Sequence, residues 1–213
     1  NFRSLSVWKG KLMSNDVVHA HHEHPDVVGS RNRLGVILIL VADIAFALSM
    51  MFVYFYLKQQ DVNGMWLPAA SEEMPGVKPV SSSNAWLLVG LCALGLVSNQ
   101  FAVKGSKAKD SAQSNIGTGL ALIFSVVAFV LQVMQMNSTG FTTRMGAYAS
   151  TYYLIAIINA VHLFITIFIA LGNLNRSRLG LYNKDHWHLS ISHIWWIWMT
   201  VSAGLGAFAL SFT

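Results

Sequence analysis

Residues 34–57, LGVILILVADIAFALSMMFVYFYL, decide how the rest of the chain is read. At a rise of about 1.5 Å per residue, this run is long enough to cross a bilayer with some tilt. Yet it carries a carboxylate, Asp43, about a third of the way in. An aspartate near the centre of a spanning helix costs about 2.5–3.5 kcal/mol on insertion scales, so it belongs against protein and opposite a partner. His162, in a later apolar run, is the obvious partner.

Working outward, four more runs of spanning length follow at residues 84–103, 115–136, 148–172 and 190–212. The fold class expected is all-α: a polytopic bundle of five transmembrane helices behind a polar, His-rich tail at 1–33. Composition agrees, with 54% hydrophobic and 11% charged residues and a mean hydropathy of +0.49, against about 25% charge in soluble domains. Ten-residue alternating segments are absent, which argues against a β-barrel. The tail is expected to hold one short interfacial helix near residues 5–12. No cleavable signal peptide is expected, because residues 2–28 lack a central apolar region.

Lys and Arg distribution predicts orientation. Eleven lie in the tail and in the second and fourth loops, and three (Lys58, Lys78 and Arg144) lie on the other side. The N-terminus is therefore expected in the cytoplasm and the C-terminus outside. Basic residues spread over alternating loops form no nucleic-acid face. The longest outer loop, 58–83, holds three of the four prolines and reads as solvated, with Trp66 dipping to the interface. Trp86, Tyr148, Tyr152 and Tyr153 near outer helix ends, and Trp187, Trp195, Trp196 and Trp198 near the inner end of the last helix, read as aromatic belts. Small residues four apart, such as Gly117/Ala121, Ser202/Gly206 and Ala203/Ala207, predict close helix packing.

Depth selects the candidate site. Asp43 is nine residues from the inner end of its span, and His162 is ten from the inner end of a span running the other way. Both therefore lie roughly 14–15 Å deep, near the midplane. Asn159, His162 and Thr166 fall on one helical stripe, which is expected to face Asp43. The pair reads either as a lipid-anchoring or proton-linked site or as a buried polar tie between helices. Gln132 and Gln135 in the third span are weaker candidates, as hydrogen-bonding amides. Trp187, His188 and His193 at the start of the fifth complete the set.

No metal site is expected. Cys92 is the only cysteine. The tract His19, His21, His22, His24 sits in the tail, and His186, His188 and His193 lack regular ligand spacing. A membrane metalloenzyme built on these histidines is the least supported reading.

Taken in order, these residues resemble subunit III of the haem-copper terminal oxidases, whether cytochrome c or quinol oxidase, in the short five-helix bacterial form. VADIAFALSMMFVYFYL resembles the family's acidic first-helix pattern, with Asp43 at the acidic position. YASTYYLIAIINAVHL resembles its HG-x-H helix, with His162 on the second histidine and Asn159 in place of the first. In QVMQM, Gln132 fits and Gln135 replaces an acid. In HWHLSISHIWWIW, Trp187 and His188 fit while the family's aspartate is absent. The resemblance implies a subunit with no catalytic centre or metal of its own, bound to the oxidase subunit I that holds haem and copper, and to subunit II. It further implies a helix cleft for phospholipid, support for proton uptake, and a bacterial inner-membrane location. The alternative, a small proton-coupled transporter using Asp43 and His162 as its relay, lacks an obvious inverted repeat or broken span.

Overall fold

The computed structural model describes residues 25–71, 75–183 and 185–212, and among them it is helical with no strand. Five helices are each long and apolar enough to cross a membrane: α1 (Pro25–Gln59), α2 (Ser82–Lys107), α3 (Ser111–Asn137), α4 (Ala147–Arg178) and α5 (Trp187–Leu210). A 3-10 turn, Leu181–Asn183, joins the last two.

Each helix outlasts its apolar run at one end or both. The largest difference is in α1, which begins at Pro25 rather than at residue 34. Hydrophobicity marks only the part of a helix that lipid touches. Beyond it, proline in the first helical turn and a polar sequence are compatible with continued helix. The boundary expected at residue 33 thus falls inside α1. The His19–His24 tract and residues 5–12 lie outside the described residues.

α4 and α5 each pack on three other helices: α4 on α1, α3 and α5, and α5 on α1, α2 and α4, while α2 and α3 pack on each other. α1 touches only α5 and α4 appreciably and presents a long apolar face outward, including Leu38, Val41, Leu48 and Phe52. Small residues bring α2 and α3 together. A Cβ on Gly117 would stand 2.6 Å from the Ala102 nitrogen, and one on Gly105 would stand 2.8 Å from that of Ser114. No side chain fits at either place, so the two backbones run in contact as the small-residue pattern requires.

The segment between α1 and α2 differs from the solvated loop expected. Trp66 is buried, edge-on to Tyr54 at 5.1 Å and to Tyr148 at 5.6 Å. Tyr148 Oη also accepts the Val80 backbone N–H at 2.8 Å. Tyr148 and Tyr152 therefore form an internal cluster with Trp66 and Phe141 rather than an interfacial belt. Trp195, Trp196 and Trp198 are likewise buried in the bundle, whereas Trp86 stays about half exposed. Aromatic residues this rich in area pack on one another whenever helices bring them inside.

Candidate functional site

α1, α4 and α5 meet around Asp43. His162 on α4 sets Nε2 at 3.2 Å from Oδ1 and 3.0 Å from Oδ2. Trp198 on α5 donates its indole N–H to Oδ2. The carboxylate is thus held by donors from two other helices, with its side chain 17% exposed and that of His162 8%. Trp195 stands edge-on to the imidazole at 5.8 Å and 86°. It donates through Nε1 to Thr166 Oγ1 at 2.8 Å, and that hydroxyl donates to the His162 carbonyl at 2.7 Å. His162 Nδ1 is buried with no hydrogen-bond partner. With a hydrogen on Nε2 directed at the carboxylate, a bare Nδ1 lone pair costs less in that pocket than an unpaired N–H would.

This arrangement brings Asp43 and His162 together as their depths suggest, and only part of the stripe follows. Thr166 serves the Trp195 indole. Asn159 faces α5, with its Nδ2 3.1 Å from where a Gly206 Cβ would lie. Gln132, Gln135 and Asn159 line a small cavity with Tyr152, toward the end of the bundle where α4 begins. Gln135 Nε2 donates to the Asn84 carbonyl at 2.9 Å. Near the start of α5 Trp187 stacks on His188, and His193 Nδ1 lies 3.3 Å from Asn99 Nδ2. These weaker candidates are spread over both ends of the bundle.

Trp198 is the contact to Asp43 that sequence reading passes over. It lies eleven residues into α5, roughly 16 Å from the start of that helix, too deep for an interfacial belt. That depth matches Asp43 and is the signal that identifies it.

Chemically, the site can anchor a carboxylate inside the bundle and pass a proton between carboxylate and imidazole. Among the described residues, no group of three or more His, Cys, Asp or Glu side chains gathers to hold a metal. A second set of polar contacts fastens the end of the bundle where α4 ends and α5 begins. Tyr182 Oη donates to Asn173 Oδ1 at 2.9 Å, Asn173 Nδ2 donates to Ser192 Oγ at 2.8 Å, and Ser177 Oγ donates to Ser114 Oγ at 2.9 Å. Burial pushes the Tyr182 phenol up to about 12, against the opposing pull of Arg176.

Fold and site define a multi-pass membrane protein whose helices are tied at mid-depth by a carboxylate–imidazole–indole cluster. The sequence matches the family model for cytochrome c oxidase subunit III over residues 2–203, and the chain belongs to that family. Cytochrome c oxidase subunit 3 of Prototheca wickerhamii is 25% identical over 208 residues, covering 94% of this chain and 74% of that one. The Arabidopsis thaliana subunit 3 is 24% identical over 207 residues, covering 92% and 72%. That of Mycosarcoma maydis is 24% identical over 186 residues, covering 84% and 65%.

Proposed function

We propose that this chain is the structural subunit III of a proton-pumping haem-copper oxidase that reduces oxygen to water. It stabilises the catalytic subunit, holds phospholipid in a cleft beside Asp43 and sustains proton uptake. The chemistry belongs to subunit I, which carries haem and copper; subunit II is the other expected partner. The complex sits in a bacterial inner membrane with the N-terminus of this chain in the cytoplasm.

The observation that carries this reading is the Asp43 cluster. A carboxylate fixed by His162 and Trp198, on a helix whose apolar outer face is otherwise unpaired, is costly unless that position is used. A polar point at mid-depth on a lipid-facing helix suits a proton held near an uptake path, and lipid lodged in the cleft beside it would meet it with its acyl chains. The test is Asp43→Ala in the intact complex. Haem spectra are expected to stay unchanged, while retained phospholipid falls and the number of turnovers before inactivation drops severalfold. Unchanged lipid content with unchanged working life would overturn the proposal.

A further inference from the structure

Between α2, α3, α4 and α5, toward the end of the bundle where α4 begins, lies a cavity of about 20 Å³. Two helices supply its polar lining. Gln132 and Gln135 stand one turn apart on α3, and Tyr152 and Asn159 stand two turns apart on α4. All four are deeply buried, at 3%, 8%, 2% and 7% exposure. The Tyr152 hydroxyl is enclosed and has no hydrogen-bond partner. A buried hydroxyl in that state forfeits the hydration it had in water. Gln135 cannot spare its amide N–H₂ easily, because Nε2 already donates to the Asn84 carbonyl at 2.9 Å. From α5 come only Ala203, Gly206, Ala207 and Leu210, which offer no polar side chain. Nor does α5 leave room for one, since a Cβ on Gly206 would stand 3.1 Å from Asn159 Nδ2. A site holds one water when it has roughly 10–15 Å³ of room for it and two to four polar partners. This cavity meets both conditions, and its size admits one water rather than a file of them.

We propose that this cavity is a binding site for a single structural water that joins α3 to α4. The Tyr152 hydroxyl, the Gln132 amide and the Asn159 amide are its partners. A phenol and two amides each donate and accept, so they can serve both hydrogens and the lone pairs of the water. The Tyr152 hydroxyl bonds no side chain directly, and the water is what lets the polar faces of α3 and α4 meet where lipid keeps the bundle dry. The site does not depend on the Asp43 cluster, whose partners lie on α4 and α5.

The test is cryo-electron microscopy of the intact oxidase complex, at a resolution that shows ordered water. In the wild type one isolated peak is expected in the cavity, within about 2.6–3.2 Å of Tyr152 Oη and of the Gln132 and Asn159 amides. Gln132→Met keeps the length of the side chain and removes its polar atoms, and Tyr152→Phe removes only the hydroxyl. The peak is expected to weaken in each single variant and to vanish in Tyr152→Phe/Gln132→Met. Tyr152→Phe keeps the ring packed on Phe141 and Tyr148, so it carries the test if the double variant fails to assemble. An empty cavity in the wild type would overturn the proposal. So would a Tyr152 hydroxyl bonded directly to Gln132 or Asn159, or a peak that keeps its full height in Tyr152→Phe. Loss of the peak in Asp43→Ala, with all three partners in place, would also overturn it, because the site would then belong to the Asp43 cluster.

Discussion

Asp43 accepts from an imidazole and from an indole, and the two donors are not equivalent. His162 approaches both carboxylate oxygens, whereas Trp198 serves Oδ2 alone. A double-mutant cycle over Asp43→Ala and His162→Ala should give a coupling energy of roughly 1 kcal/mol, in the upper half of the range for intramembrane polar pairs. Reversible unfolding in mixed micelles would measure it, and additive single effects would reduce the pair to bystanders. Trp198→Phe keeps the packing and removes one donor, so its cost should be about 1 kcal/mol. Tyr182 belongs to the same scale. Its phenol titrates at about 12 in the fold against 10.0 ordinarily, so the folded chain keeps the proton that the unfolded chain releases. Its contribution is fully present below pH 10 and is lost as pH rises from 10 through about 12. Tyr182→Phe should therefore remove an alkaline destabilisation in that window. At neutral pH the same change should cost about 1–3 kcal/mol, because Asn173 Oδ1 loses its buried donor. Alkaline titration of the two proteins, followed by helical circular dichroism, compares them.

Between elements, α2 and α3 depend on the absence of side chains. Gly117 and Gly105 let the backbones touch, and Asp110 caps α3 by accepting from the Gln113 backbone N–H at 3.0 Å. A Gly117→Val change must push the helices apart at Ala102. It should cost about 1–3 kcal/mol by overpacking and lower the detergent resistance of the purified complex. Wild-type melting behaviour in that variant would mean that the α2–α3 contact is looser than the distances imply. α1 is held differently. It has few buried side chains and relies on the Asp43 cluster, on Leu40 against the α5 tryptophans and on Tyr54 against Trp66. Losing Asp43 thus removes a large part of what fixes α1, which is why the lipid and lifetime effects of Asp43→Ala should appear together.

On the scale of the whole molecule, the exposed cations predict sidedness. Lys104→Cys and Lys78→Cys should react with a membrane-impermeant maleimide from opposite faces, the first from the cytoplasm. Cys92, 2% exposed, serves as the silent background. Both labelling from one face would contradict a five-span topology, and reversed faces would invert the proposed orientation. A bundle in which α1 packs only on α4 and α5 also leaves the apolar outer face of α1 directed at whatever surrounds the subunit.

The apolar runs by themselves determined that five helices exist and roughly where they lie. They do so because a spanning segment must satisfy its own backbone and must be apolar where lipid touches it. The same constraint placed Asp43 and His162 at one depth, and their pairing was legible from depth alone. Helix ends were not legible: Pro25–Arg33 is polar, and polarity outside the lipid is silent about helix. Nor were the rotational choices. Whether Trp198 faces lipid or Asp43, and whether Asn159 turns to α1 or to Gly206, depends on which helices are neighbours. Only the tertiary structure decided this, because a side chain's direction around a helix acquires meaning only once another helix stands opposite it.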